Sequence, residues 1–154
     1  MGGALIHSSI IKANHIHFDC SLRLAEDQVV IMDCIRNAQR LQRIPDCLYY
    51  YRDNQLSASQ NPHYDDLLMS VDVLFKYAKD YPMCKEHCIY MVYVFLEKIL
   101  RSKECDKQSV FCIQKQLKGE KYVGNIKLVK LFIVLSRFSS SLAYYASQVI
   151  AKIR

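Results

Sequence analysis

Hydrophobic positions recur along this chain at helical spacing for most of its length. From Glu26 onward, Ile31, Cys34, Ile35, Ala38 and Leu41 share one face, with Asp33, Arg36, Asn37 and Arg40 opposite. That spacing predicts a helix over about Asp27 to Gln42. Pro45 stops any continuation, and Cys47-Leu48-Tyr49-Tyr50-Tyr51 is rich in strand formers, so a strand and then a polar loop are expected from there to Asn61. Pro62 can open a second helix with Leu67, Leu68, Val71, Leu74, Phe75 and Ala78 on its core side, closed by Tyr81-Pro82. A third helix, about Met83 to Ser102, buries Cys88, Val92, Phe95 and Ile99, and a shorter one runs from about Lys107 to Leu117. Before all of these, residues 1–25 mix β-branched residues with turn formers. Ile16-His17-Phe18 reads there as a short extended piece.

The segment Asn125 to Lys152 is the longest apolar stretch, interrupted by Lys127, Lys130, Arg137, Gln148 and Lys152. With Ser141 and Tyr145, these positions predict one amphipathic helix carrying a narrow polar stripe. Arg137 near its middle argues against a membrane span. Two readings stay open. In one, the helix lies in a membrane interface with Leu131, Phe132, Leu135, Phe138 and Leu142 on the apolar side; in the other, it packs on its own domain.

Composition narrows the classes. A hydrophobic share of 51% over 154 residues, with 23% charged, excludes a disordered chain. The net charge of +6 is unevenly placed: Met1 to Tyr81 carries 8 basic and 10 acidic residues, Pro82 to Arg154 carries 13 and 5. A basic second half with several tyrosines suits an anionic partner, but no nucleic-acid motif accompanies it, so nucleic acid is not the expected partner. Four glycines form no phosphate-cradling loop. Seven cysteines, an odd number scattered in apolar stretches without a secretory signal, suit reduced thiols in the cytoplasm. His15 with His17, and Cys84 with His87 and Cys88, share local faces without a fourth metal ligand at recognisable spacing, so core cysteines and surface histidines are expected there.

The adjacent carboxylates Glu26 and Asp27 are the most suggestive polar groups, because they stand where a loop enters an amphipathic helix. Free backbone N–H groups and the helix dipole stabilise an ionised carboxylate there, as a general base requires. An ordinary helix cap is the competing reading.

Phe18-Asp19, Glu26-Asp27, Ile44-Pro45, Leu48-Tyr49-Tyr50-Tyr51-Arg52 and Ser57-Ala58-Ser59 follow one another over about Gly3 to Ser59. In order and spacing this stretch closely resembles the acceptor-side half of family-two glycosyltransferases, the bacterial enzymes that build capsule, lipopolysaccharide and other surface glycans. The resemblance implies an α/β remnant, mostly α: residues 1–60 as the acceptor-side part of a GT-A glycosyltransferase domain, and residues 61–154 as a helical C-terminal extension. It implies an inverting transfer from a nucleotide-sugar donor to a polysaccharide or lipid-linked glycan acceptor, with Asp27 as base and Glu26 orienting it or contacting the acceptor. Beside this, Arg52 at the strand end is read either as a guanidinium facing the diphosphate leaving group or as a solvated arginine, with Tyr51, Ser57 and Ser59 lining the substrate.

Family members also carry an N-terminal donor-binding half whose Asp-x-Asp motif holds magnesium or manganese. No Asp-x-Asp occurs in these 154 residues. The expected chain is therefore a partial enzyme, inactive alone and binding no metal by itself, whose donor half comes from elsewhere or from a partner chain. The absence of tryptophan removes the Gln-x-x-Arg-Trp signature of processive synthases and points to single-sugar addition. A peripheral location at the inner face of the cell membrane accompanies this reading. The alternative class is a non-catalytic helical binding or adaptor protein.

Overall fold

The computed structural model describes residues 4–46, 57, 60–120 and 127–152. Those residues form α1 (Ser8–Ala13), α2 (Glu26–Asn37), α3 (Tyr64–Asp80), α4 (Lys85–Arg101), α5 (Lys107–Gln116), α6 (Lys127–Ser136) and α7 (Ser140–Lys152). A 3₁₀ turn, Pro82–Cys84, joins α3 to α4, and no strand occurs among the described residues. The chain is thus mostly helical, and the strand expected at Cys47–Tyr51 lies outside the described residues. Two compact units divide it, Met1–Pro62 and His63–Arg154.

In the first unit, the expected extended entrance is a correction. Ser8 to Ala13 form a helix, and Ile16, His17 and Phe18 follow it as irregular backbone. Six residues cannot hold a helix alone, because nucleation outweighs so few hydrogen bonds. Packing supplies the difference: Ile6, Ile10 and Ile11 lie against the buried Ile16, Val30 and Cys34. His7 Nδ1 accepts from the Ser9 N–H at 3.3 Å at the start of α1, and Asn14 Nδ2 donates to the Ile10 carbonyl at its end.

Helix α2 buries Val29, Val30, Met32 and Cys34 and stops at Asn37, five residues short of the expected Gln42. Ala38 turns to extended backbone, with ψ 132°, and Leu41, expected in the core, is 65% exposed. Beyond Asn37 the sequence has only Ala38 and Leu41 to bury among Gln39, Arg40, Gln42 and Arg43, too little apolar surface to keep the helix attached.

The second unit is built on α3 and α4, an antiparallel pair joined through Tyr81-Pro82. Proline at the first position of the 3₁₀ turn ends α3, because it supplies no N–H and fixes φ. Leu67, Val71, Leu74 and Ala78 face Cys88, Val92, Phe95, Leu96 and Ile99, all buried. Leu68 and Phe75, also expected inside, are half-buried. Asp106 caps α5, its Oδ1 accepting from the Ser109 N–H at 2.8 Å. Its Oδ2 also accepts from the Tyr64 hydroxyl at 2.9 Å, tying the start of α5 to the start of α3.

The single terminal helix expected over Asn125 to Lys152 is corrected to a hairpin of α6 and α7, both packed on α4. The break falls at Arg137–Ser139. The Ser139 hydroxyl accepts from the Leu142 N–H at 3.3 Å, and its carbonyl from the Ala143 N–H, which starts α7. Folding back lets Leu128, Val129 and Phe132 of α6 and Ala143 of α7 all reach the core, whereas one straight helix would carry its far half beyond it. Phe132, expected on a membrane-facing side, is 1% exposed, and Gln148, expected on the polar stripe, points inward to donate to the Leu100 carbonyl at 2.9 Å.

Candidate functional site

Glu26 and Asp27 are the first two residues of α2. Buried Leu22 and Leu24 anchor the approach, and Ala25 forms the junction with φ 62°, in the left-handed region. The Val29 N–H donates to the Ala25 carbonyl at 3.0 Å, closing the first turn. Ala25 is the capping residue, and its methyl side chain makes no cap hydrogen bond. Neither carboxylate is itself the N-cap, but acids in the first turn also suit an ordinary helix start, so the competing reading stands beside the catalytic one. Both stand in the first turn, half-buried, where the positive end of the helix dipole acts favourably on negative charge. Being adjacent on a helix, they point about 100° apart and do not face one another, so one site can use them for two different tasks.

Asp19, the second residue of the Phe18-Asp19 pair, shapes the approach. Its Oδ1 accepts from the Ser21 hydroxyl at 2.6 Å and the Ser21 N–H at 2.9 Å, and its carbonyl accepts from the Leu22 N–H at 3.1 Å. The two Ser21 bonds, the hydroxyl's first, hold the Asp19 carboxyl below the usual carboxylate range. Asp19 is thereby a turn former that directs Leu22 and Leu24 inward. Phe18 beside it is 51% exposed.

Of the other residues singled out by sequence, Ser57 is half-buried and its carbonyl accepts from the N–H groups of Gln60 and Asn61, each at 3.0 Å. Tyr51, Arg52 and Ser59 lie outside the described residues, so only the carboxylate pair and Ser57 are placed.

Among the described residues no group of three or more His, Cys, Asp or Glu side chains is arranged to hold a metal ion. As carboxylates in a helix's first turn, Glu26 and Asp27 can take part in proton transfer and hydrogen bonding. Cys84 and Cys88 are buried, while His87 is exposed. Burial, with a smaller contribution from neighbouring Cys84, pushes the Cys88 thiol up to about 11, so it stays protonated and packs as a small apolar side chain.

Sequence reading missed the polar ties that hold the second unit together. Tyr64 to Asp106, Tyr144 to the Cys105 carbonyl at 2.9 Å, and Gln148 to the Leu100 carbonyl span 39 to 48 residues, and no local pattern encodes such pairs. Comparison with protein-family models, curated proteins and solved structures finds no match to this chain.

Proposed function

We propose that the first unit is the acceptor-side part of an inverting, non-processive glycosyltransferase of family two, acting in surface-glycan assembly on the cytoplasmic side of the membrane. The single observation that carries this reading is the Glu26-Asp27 pair in the first turn of α2, at its place in the ordered series from Phe18-Asp19 to Ser57-Ala58-Ser59. In the reaction the acceptor hydroxyl oxygen attacks the anomeric carbon of the donor sugar. Asp27 takes the hydroxyl proton, and the bond from the anomeric carbon to the diphosphate oxygen breaks, releasing the nucleoside diphosphate. Glu26 orients the acceptor. Arg52 offers a planar donor fork to the diphosphate, and Tyr51, Ser57 and Ser59 contact the sugars. Donor binding belongs to a βαβ half outside this sequence, covalently joined or supplied by a partner chain.

The test joins the chain to such a donor half and compares Asp27 with Asp27→Asn. The amide cannot take the proton, so turnover falls by roughly a hundredfold or more while substrate binding and melting temperature hold. Normal turnover in the folded variant removes Asp27 from the role. Calorimetry on the chain alone adds a second arm: micromolar binding of a uridine or guanosine diphosphate sugar would mean that no separate donor half is needed.

A non-catalytic helical binding module is the second reading. It draws on the outward apolar face of α7, which no described element covers.

A further inference from the structure

Unlike most surface helices, α7 turns apolar residues outward. Leu142, Tyr145 and Val149, spaced at three and four residues, are 53%, 59% and 60% exposed, and Phe138 in the turn before them is 84% exposed. Its inward face holds Ala143 and Ser147. Helix α6 turns the opposite chemistry outward. Lys127, Lys130, Val134 and Arg137 recur at helical spacing and are all exposed, opposite buried Leu128, Val129 and Phe132. Because both helices pack on α4, the hairpin presents a cationic ridge and an apolar ridge on the side away from the core, meeting at Arg137-Phe138. Lys107 adds a charge at the apolar ridge, its Nζ lying 5.2 Å from the Tyr145 ring centroid and 5.3 Å from that of Phe111.

Charge identifies what covers this face. From Lys107 to Arg154 the sequence has nine basic residues and one acidic residue, a net of +8. That single acid, Glu120, is paired with Lys85 at 2.8 Å. No acidic side chain occurs in α6 or α7. A second copy paired through the same face would set +8 against +8. A nucleic acid would satisfy the cations and could stack bases on Phe138 or Tyr145, but it would leave the aliphatic Leu142 and Val149 with nothing to bury. An anionic bilayer surface matches both ridges: headgroups meet the lysines and Arg137, and the apolar side chains enter the acyl boundary. No helix among the described residues is long and apolar enough to cross a membrane, so the contact is lateral.

We propose that the α6–α7 hairpin is a docking surface for an anionic lipid bilayer, with Phe138 and Leu142 as inserted anchors and Lys130 and Arg137 as headgroup contacts. The proposal is independent of glycosyl transfer, because vesicle binding is read without any reaction.

Cosedimentation of the full chain with phosphatidylcholine vesicles, and with vesicles of equal parts phosphatidylcholine and phosphatidylglycerol, tests it. The expected result is binding to the mixed vesicles only, reversed by salt. The Phe138→Ser, Leu142→Ser double variant should bind at least tenfold more weakly with unchanged helicity and melting temperature, since both side chains are exposed. The Lys130→Glu, Arg137→Glu variant provides a second handle: each cation near the surface contributes about fivefold, so binding should fall roughly 25-fold or more. Three results would overturn the proposal. One is no binding to mixed vesicles at low salt, and another is binding that neither variant weakens. The third is a chain dimer, seen by sedimentation velocity, that the serine variant dissociates while vesicle binding is unchanged.

Discussion

The two units invest their sequence differently. Among the described residues, the largest fully enclosed side chains, including Phe132, Leu67, Leu74, Leu96, Ile99 and Leu100, all belong to the second unit. The first unit holds α1 against α2 with a smaller cluster around Ile16, Val30 and Cys34, yet it carries the carboxylate pair with the chemistry to act as a base. The second unit, rich in core, also has an adjacent carboxylate pair, Asp65-Asp66 in the first turn of α3, but that pair stands outside the ordered series from Phe18 to Ser59. Among this unit's titratable groups, desolvation pushes the thiols of Cys105 and Cys88 up to about 11 and raises the hydroxyl of the buried Tyr64 above its usual value. In the proposed reading, the larger packed core and the catalytic carboxylates thus belong to different units. Side chains spent on filling a core cannot also meet a substrate, and a charged pair kept half-exposed cannot contribute much to a core.

The strongest way to break this contrast is to open each core. Leu96→Ala should cost about 3 kcal/mol, because Leu96 is wholly enclosed and the cavity cannot collapse. Val30→Ala in the smaller cluster of the first unit should cost about 1 kcal/mol, as less lost packing surrounds it. Thermal denaturation reads both losses, and a Val30→Ala loss as large as that of Leu96→Ala would contradict the contrast. Asp27→Asn, lowering turnover roughly a hundredfold in the enzyme with its donor half, is the counterpart for the first unit, with almost no change in stability.

Thiol labelling compares the units chemically. Cys20 and Cys112 are exposed and should react in the native protein, whereas Cys34, Cys84 and Cys88 are buried and should react only on unfolding. Mass spectrometry after a short pulse of iodoacetamide reads this directly. Fast labelling of Cys88 would remove the packed α3–α4 core from the account.

A smaller effect concerns Asp106. The Ser109 side chain, then the Ser109 N–H, hold its carboxyl below the usual carboxylate range. With the folded value depressed, its stabilisation is fully present above the unfolded carboxylate value near 4 and is lost as pH falls through the folded one. Asp106→Ala should cost about 1 kcal/mol at neutral pH through the lost cap, and that difference should shrink in acid. A difference that grows on acidification would contradict the assignment.

The smallest effect is expected at Ala25. Glycine would remove a left-handed penalty of about 1–2 kcal/mol, but it would add chain entropy of about 0.4–1 kcal/mol and lose a buried methyl of about 0.8 kcal/mol. Ala25→Gly should therefore leave the melting temperature nearly unchanged. Ala25→Val should lower it clearly, because a branched Cβ fits φ 62° worse.

The sequence alone determined α3, α4 and α5. Their apolar residues recur at helical spacing, Tyr81-Pro82 marks the end of α3, and the helices start at Tyr64, Lys85 and Lys107, within two residues of the expected Pro62, Met83 and Lys107. It also located the carboxylates at the start of α2, since a helix onset is a local event. It could not determine α1, whose six residues are helical only because Ile10 and Ile11 find Ile16, Val30 and Cys34. Nor could it stop α2 at Asn37 or divide α6 from α7. Ser136-Arg137-Phe138-Ser139 contains neither proline nor glycine, so local propensity permits a helix straight through it. Tertiary structure decided otherwise, because folding back buries apolar residues of both halves against α4, more surface than the few helical hydrogen bonds given up at the turn are worth. That choice turned Phe138, Leu142, Tyr145 and Val149 outward. Which apolar residues of an amphipathic segment face the core depends on what the rest of the chain offers to cover them.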